Sequence, residues 1–469
     1  MDQGQVERVA PDQTRGADFL QLDSTTAPPR HLAGWLSAAV RDAITDGRLR
    51  TGARLPATRI LAGQLGVSRG VVVEAYQRLT DEGLLSGRRG GGTTVLATTP
   101  TAAPVRTEAT PARVPIDLRP GLPDLSAFPR QAWLRAERAA LARTPDTALG
   151  YGDPRGTREL RTALATWLAR SRGVRVDPSG IVVVSGVAQG LALLAQVLAQ
   201  RGVTTVGYED PGSRGTRDQL ERWGLALAPV LVDDAGLDVD ALGDVPAVFV
   251  TPAHQYPTGV VLAPPRRRAL LEWARSAAER LVIEDDYDAE HRYDRAPVAA
   301  LAALAPEHVV YLGSVSKTLA PALRLGWVVA PPDVREELVV RKQWSDITSP
   351  ALGQLALAEL ITSGSFERHL RKVRARQRTR RDALLDALRT HLPGARVHGV
   401  AAGLHLLVGL PDGLDDAAVA DRALAAGVAV QPLSCHRLRP GPPGLVIGYT
   451  ATTPDRLRDG VRLLAEVVR

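Results

Sequence analysis

Hydrophobic positions fall into two kinds of pattern along the 469 residues, and the change between them divides the chain. Near the N-terminus they recur at helical spacing. Leu32, Leu36, Val40 and Ile44 predict a helix from His31 to about Asp46, with Gly47 and Gly52 ending it. Ile60, Leu61 and Leu65 mark a second helix, closed by Gly66. Val71, Val72, Ala75, Tyr76 and Leu79 form the inner face of a third, with Ser68 as its N-cap and Gly83 as its stop. Two short strands follow, Leu84–Ser86 and Thr93–Leu96, separated by Arg88-Arg89-Gly90-Gly91-Gly92. Three helices and a glycine-tipped basic hairpin predict a winged helix-turn-helix over 29–96, preceded by a polar, irregular arm over 1–28.

Residues 97–115 are rich in Pro, Ala and Thr without apolar periodicity, and read as an extended, semi-rigid linker. Beyond it, over 116–469, the pattern becomes one of short unbroken apolar runs that end in small or polar residues. Ile181–Val184, Thr205–Tyr208, Ala247–Val250, Leu281–Ile283 and Val309–Leu312 are of this kind, as expected for buried strands of an α/β sheet. After Pro331 the chain turns helical, over Val334–Asp346 and from Ser365 to about Arg389. Strands at Leu404–Val408, Val428–Pro432 and Leu445–Thr450 suit a smaller subdomain.

Composition narrows the setting. The chain is 45% hydrophobic and 23% charged, ordinary for a globular protein, and long enough for two or three domains. A single cysteine, Cys435, excludes an internal disulfide and points to a reducing cytoplasm. Met1-Asp2-Gln3-Gly4-Gln5 has no signal pattern, and no run of about 18 apolar residues predicts a membrane span. Net charge is +7, and ten arginines against five acids between Arg30 and Val95 concentrate the excess in the first domain. A local basic surplus without an amphipathic lipid helix favours nucleic acid as the partner.

Only three of the 58 basic residues are lysines: Lys317, Lys342 and Lys372. Arginine stays protonated, so amine chemistry falls to one of these three. Lys342 and Lys372 sit in charged helical surroundings and read as solvated faces. Lys317, in Ser314-Val315-Ser316-Lys317-Thr318, follows a buried-strand run and sits among hydroxyls, where desolvation would free a neutral amine for a Schiff base. Ser185-Gly186-Val187-Ala188-Gln189-Gly190, between a strand and a helix, has the geometry that offers backbone N–H groups to a phosphate. Glu284-Asp285-Asp286-Tyr287 ends another strand in acids. Two buried carboxylates side by side are costly unless paired, so at least one of them is expected to face water or a cation.

Two resemblances are carried by these residues. The string Gly47-Arg48-Leu49, Gly52-Ala53-Arg54-Leu55-Pro56, Arg59, Leu65-Gly66-Val67-Ser68-Arg69, Ala75-Tyr76, Leu79, Glu82-Gly83 and Gly91-Gly92-Thr93 resembles the GntR-type DNA-binding domain. The resemblance implies DNA contacts from Arg59 and Arg69, phosphate contact from Arg54, Ser68 as cap of the recognition helix, and wing contacts from Arg88, Arg89 and Gly91. Val73 stands where many members have another arginine. The remainder resembles fold-type-I pyridoxal-phosphate (PLP) proteins of the aspartate aminotransferase superfamily, with a large mixed-sheet α/β subdomain and a small α+β one. This implies PLP on Lys317, Asp285 against the pyridine nitrogen, and Tyr287 and Tyr256 near the ring hydroxyl. Ser314, Ser316, Arg324, Val187, Ala188 and Gln189 would hold the phosphate. Ser213 stands where an aromatic residue usually stacks on the ring, with Tyr208 and Tyr256 as substitutes to consider. Leu445–Tyr449 lacks the arginine that binds a substrate carboxylate in amino-acid-converting relatives, leaving Arg437 and Arg439 as candidates.

The order of the two parts is similar to that of the MocR family of PLP-dependent transcription regulators. It implies a double-stranded DNA operator, PLP with a small amine or amino acid as effector, genes of vitamin B6 or amino-acid and amine metabolism, and a head-to-tail homodimer in the cytoplasm. The competing reading is a catalytic aminotransferase with an accessory DNA-binding domain.

Overall fold

The helical periodicity of the first domain resolves into a three-helix head with a wing. In the computed structural model, which describes residues 31–88, 92–96, 114–293 and 298–468 and a few positions between 20 and 28, α1 is Leu32–Thr45, α2 Thr58–Leu65 and α3 Arg69–Asp81. Leu36, Val40 and Ile44 meet Leu61, Leu65, Val72, Ala75 and Leu79 in one apolar core. Gly66, at φ 66°, makes the turn from α2 to α3, a left-handed conformation that favours glycine. The wing is a sheet of β1 (Arg54–Leu55), β2 (Leu85–Arg88) and β3 (Gly92–Val95), with β3 in the middle. β1 has no counterpart among the expected strands, because two residues are too short for an alternation signal.

Three further expectations need correction. Leu20, within the segment read as a polar arm, is buried in the head's core with Leu22 beside it. Ile60 is 57% exposed, because a helix as short as α2 turns only Leu61, Ala62 and Leu65 inward. Ser68 occupies the N-cap position of α3, but its side chain makes no capping hydrogen bond.

The second unit, from Arg113, is built on an eight-stranded sheet. After the short β4 (Ile116–Asp117), its strands are β5 (Ile181–Val184), β6 (Thr205–Asp210), β7 (Ala226–Asp233), β8 (Gly236–Leu237), β9 (Ala247–Val250), β10 (Leu281–Asp285), β11 (Val309–Ser314) and β12 (Gly326–Val329). The order is β5-β12-β11-β10-β9-β6-β7-β8. Pairing is parallel except where β12 joins its two neighbours and β8 joins β7. Helices cover both faces, which is why the central strands are apolar throughout rather than alternating. The carboxyl ends of β5, β6, β9, β10 and β11 therefore share one edge, where such sheets bind ligands.

A smaller antiparallel sheet follows: β13 (Arg396–His398), β14 (His405–Gly409), β16 (Gln431–Pro432) and β17 (Gly444–Gly448), in the order β13-β14-β17-β16. Between them β15 (Val428–Ala429) pairs with β4, tying the start of the unit to its end. The long helix Ser365–His391 is not merely a solvated basic rod. Arg380 is buried and, with Arg376, pairs with Asp124 at 3.0 and 2.8 Å. Lys342 also departs from expectation. It is fully buried and bound to both oxygens of Asp346 at 2.7 and 2.9 Å, whereas Lys372 is exposed as predicted.

Candidate cofactor site and DNA-reading surface

At the shared strand edge lies a cavity of about 700 Å³. β11 delivers Ser314 at its last position, and the turn after it brings Ser316 and Lys317 to the cavity wall. Lys317 Nζ donates to the Gly121 carbonyl at 2.5 Å. Burial pushes its amine below the usual lysine range, opposed by the nearby Asp285 and Asp288 carboxylates. β10 ends at Asp285, which also lines the cavity. Its Oδ1 is shut off from solvent without a hydrogen-bond partner. Burial, reinforced by the adjacent Asp286, raises this carboxyl to about 7, and Lys317 opposes the rise.

Asp286 points the other way along the strand, as alternation requires. Its two oxygens hold the Arg172 guanidinium at 2.6 and 2.9 Å, and Tyr311 donates to it at 2.6 Å, all away from solvent. Of the two neighbouring acids, Asp286 thus has the cation, and Asp285 faces the cavity.

The turn after β5 forms the opposite wall. The helix Val187–Gln200 begins one residue after Gly186, so its first N–H groups, from Val187 and Ala188, face the cavity. Gly186 has φ 84°, and a Cβ there would come within 3.0 Å of the Arg324 guanidinium. Arg324, itself left-handed at φ 51°, reaches across to donate to the Ser185 carbonyl and lines the same wall. Gln189 does not line it. Its side-chain oxygen accepts from Ser185 N at 2.7 Å and its amide donates to Asp346 at 2.9 Å, so it braces the turn from behind.

Between these walls stand Tyr256 and Tyr287, both lining the cavity with their rings perpendicular at 6.0 Å. Tyr287's hydroxyl lies 3.1 Å from His254 Nδ1, which is also 2.8 Å from Asp288 Oδ2 in a buried pair. Tyr208 does not line the cavity; it is buried, stacked on Phe249 at 5.6 Å, and donates to the Ser213 carbonyl at 2.6 Å. Ser213 caps the helix Arg214–Arg222. Gln255 explains the loop that carries Tyr256: its amide donates to Glu209 and to the Pro211 and Tyr256 carbonyls, and its oxygen accepts from Thr258. Arg439 pairs with Asp210 at 3.2 Å, and neither it nor Arg437 lines the cavity.

Sequence reading missed the small-subdomain side of this wall, formed by Leu404, His405, Gln431 and His436. No motif flags them, because β14, β16 and the turn after β16 reach the site only through the tertiary fold.

In the head, Arg54, Arg59 and Arg69 are exposed, Arg59 in α2 and Arg69 at the first position of α3. Arg88 closes β2, while Arg89 and Gly91 at the wing tip lie outside the described residues, as does the linker over 97–113. No helix among the described residues is long and apolar enough to cross a membrane.

Known proteins match along both parts. Residues 33–95 fit the model for bacterial regulatory proteins of the gntR family, and 116–463 that for aminotransferase class I and II. The pyridoxine biosynthesis regulator PdxR of Corynebacterium glutamicum is 35% identical over 92% of this chain and 94% of its own length. The probable rhizopine catabolism regulator MocR of Rhizobium meliloti is 31% identical over 95% of each. Among solved structures, the kynurenine aminotransferase of Pyrococcus horikoshii, in complex with PMP, superposes with TM-score 0.70 at 29% identity, covering 76% of this chain and 91% of that one. LysN of Thermus thermophilus, complexed with N-(5'-phosphopyridoxyl)-L-leucine, gives 0.68 at 29%, over 76% and 92%. Matched over more than nine-tenths of its length by regulators and over its second unit by aminotransferases, the chain belongs to the MocR-type helix-turn-helix transcription regulators, in which a GntR head precedes an aminotransferase class I and II domain.

Proposed function

We propose that this protein is a PLP-dependent transcription regulator, in which occupancy of the C-terminal cavity changes how the winged head binds operator DNA. The observation that carries the reading is that one chain joins exposed arginines on a helix-turn-helix to a cavity that gathers Lys317 and Asp285. The residues present fit PLP. Asp285 offers a buried oxygen without a partner, suited to a protonated pyridine nitrogen. The Gly186 turn and Arg324 form a cradle that a Cβ would crowd, suited to a phosphate.

PLP, when bound, supplies an aldehyde for a lysine amine and an electron-withdrawing ring. Lys317 is the amine that captures it, Asp285 holds a proton on the ring nitrogen, and Tyr287 and Tyr256 stand by the ring hydroxyl. Ser314, Ser316, Arg324 and the N–H groups of Val187 and Ala188 take the phosphate, with Gln189 behind them. A ligand here shifts DNA binding only through unequal affinity for two states of the protein. Two heads in a homodimer would read repeated half-sites in the cytoplasm, and PdxR's name suggests vitamin B6 genes as targets.

An aminotransferase reading shares Lys317 and Asp285. Transaminases such as the 2-aminoadipate enzyme of Thermus thermophilus match only 74% of this chain, whereas the regulators match it through the head. Arg59→Ala or Arg69→Ala is expected to weaken binding to the fragment upstream of this gene by about 1–3 kcal/mol while PLP uptake stays unchanged. Gel shift and absorbance on the same samples check this. Turnover of amino donors by a protein that retards no operator fragment would favour the enzyme.

A further inference from the structure

Lys342 is sealed from solvent on the helix Pro332–Asp346, yet it lies outside the cavity. Its Nζ donates to Asp346 Oδ1 and Oδ2 at 2.7 and 2.9 Å, one turn further along the same helix. An ammonium removed from water is costly unless it is paired, and Asp346 pairs it. Burial still pulls this amine below the usual lysine range, with Asp346 opposing.

Asp346 does more than neutralise a lysine. Its Oδ2 also accepts from the Gln189 side-chain amide at 2.9 Å and from the Ser349 hydroxyl at 3.4 Å. Gln189 in turn accepts from Ser185 N at 2.7 Å. A backbone N–H only donates and a carboxylate paired with an ammonium accepts, so the Gln189 amide is oriented from both ends. One line of hydrogen bonds therefore runs from Lys342 through Asp346 and Gln189 to the backbone of the Ser185-Gly186 turn. Arg324 grips the other side of that turn, donating to the Ser185 carbonyl.

The far end of this line is constrained too. Ile347, directly after Asp346, has φ 59°, a conformation that a β-branched residue rarely adopts. Its N–H donates to the Gln343 carbonyl at 3.1 Å. Such a backbone persists only where its surroundings over-determine it, and three donors, from Lys342, Gln189 and Ser349, converge on Asp346 there. At the near end, the turn presents the N–H groups of Val187 and Ala188 to the cavity. Donors aimed at a ligand must be held to within about 0.5 Å by what stands behind them.

We propose that Lys342 and Asp346 are positioning residues for the phosphate of the cofactor, acting through Gln189 on the Ser185-Gly186 turn. This rests on the cavity being the PLP site. The test uses the full chain and compares PLP with pyridoxal, which has the same ring and aldehyde but no phosphate, by the absorbance change of each on binding. Lys342→Met is expected to raise the dissociation constant for PLP about tenfold and that for pyridoxal less than about threefold, because only the phosphate meets the turn. The paired variant, Lys342→Met with Asp346→Leu, leaves neither charge without its partner. It should show the same selective loss, so the result does not depend on the single variant folding. Equal weakening of both ligands would mark a general structural role. That result, unchanged PLP affinity in the paired variant, or a native chain that binds pyridoxal as tightly as PLP would each overturn the proposal. Failure of the native chain to take up PLP at all would overturn the cofactor reading itself, and is seen separately, before any variant is compared.

Discussion

Lys317→Ala is expected to abolish covalent capture of PLP by an otherwise folded chain. The prediction is strong because the alternatives are so few. Lys342 is a fully buried amine, but both oxygens of Asp346 hold it as an ion pair within its own helix, outside the cavity. Lys372 is exposed and does not line the cavity. Lys317 alone combines a lowered amine pKa with a place on the cavity wall. Incubation with PLP, borohydride reduction and peptide mass mapping should find the label on the Lys317 peptide in the native chain and nowhere in the variant. A label on the Lys342 or Lys372 peptide would mean that the wrong amine has been chosen.

Arg172→Ala should be the most destabilising single change in the second unit, at about 3–5 kcal/mol, because it strands a buried carboxylate. Arg172 and Asp286 are each almost wholly buried and bridged twice, and Arg172 also donates to the Val298 carbonyl at 2.5 Å. Chemical denaturation measures the loss. Replacing both partners, as Arg172→Met with Asp286→Leu, should recover most of it, since neither charge is then left alone. Asp285 predicts the contrast. Its buried oxygen gains nothing in the ligand-free chain, so Asp285→Ala should leave stability unchanged or raised while PLP affinity falls. If Asp285→Ala proved the more destabilising and Asp286→Ala the more damaging to PLP binding, the two acids would have to exchange roles.

How far the sequence foretold this depended on whether a signal was local. Strand β5, the Ser185-Gly186 turn and the helix after it are contiguous, so this strand-turn-helix wall of the cavity was legible from one stretch. Lys317 was singled out by elimination among three lysines, and it lies on the cavity wall. That the second acid would face either water or a cation followed from the cost of adjacent buried acids, but its partner, Arg172, lies 114 residues earlier and could not be named. Lys342 was misjudged because a charged neighbourhood in sequence, Arg341 and Glu337, says nothing of which face of a helix is covered. Gln189 was placed near the phosphate by position alone, whereas its side chain folds back to Ser185 and Asp346. His436 and His405 were invisible for the same reason as Arg172: they reach the cavity through a second sheet.

On the proposed function, PLP held by Lys317 governs DNA binding by the head. Fluorescence anisotropy with the fragment upstream of this gene tests it, using native and Lys317→Ala chains, each with and without PLP. PLP is expected to change operator affinity of the native chain by about tenfold and to leave that of the variant unmoved. Equal affinity with and without PLP in the native chain, or the same response in the variant, would contradict it.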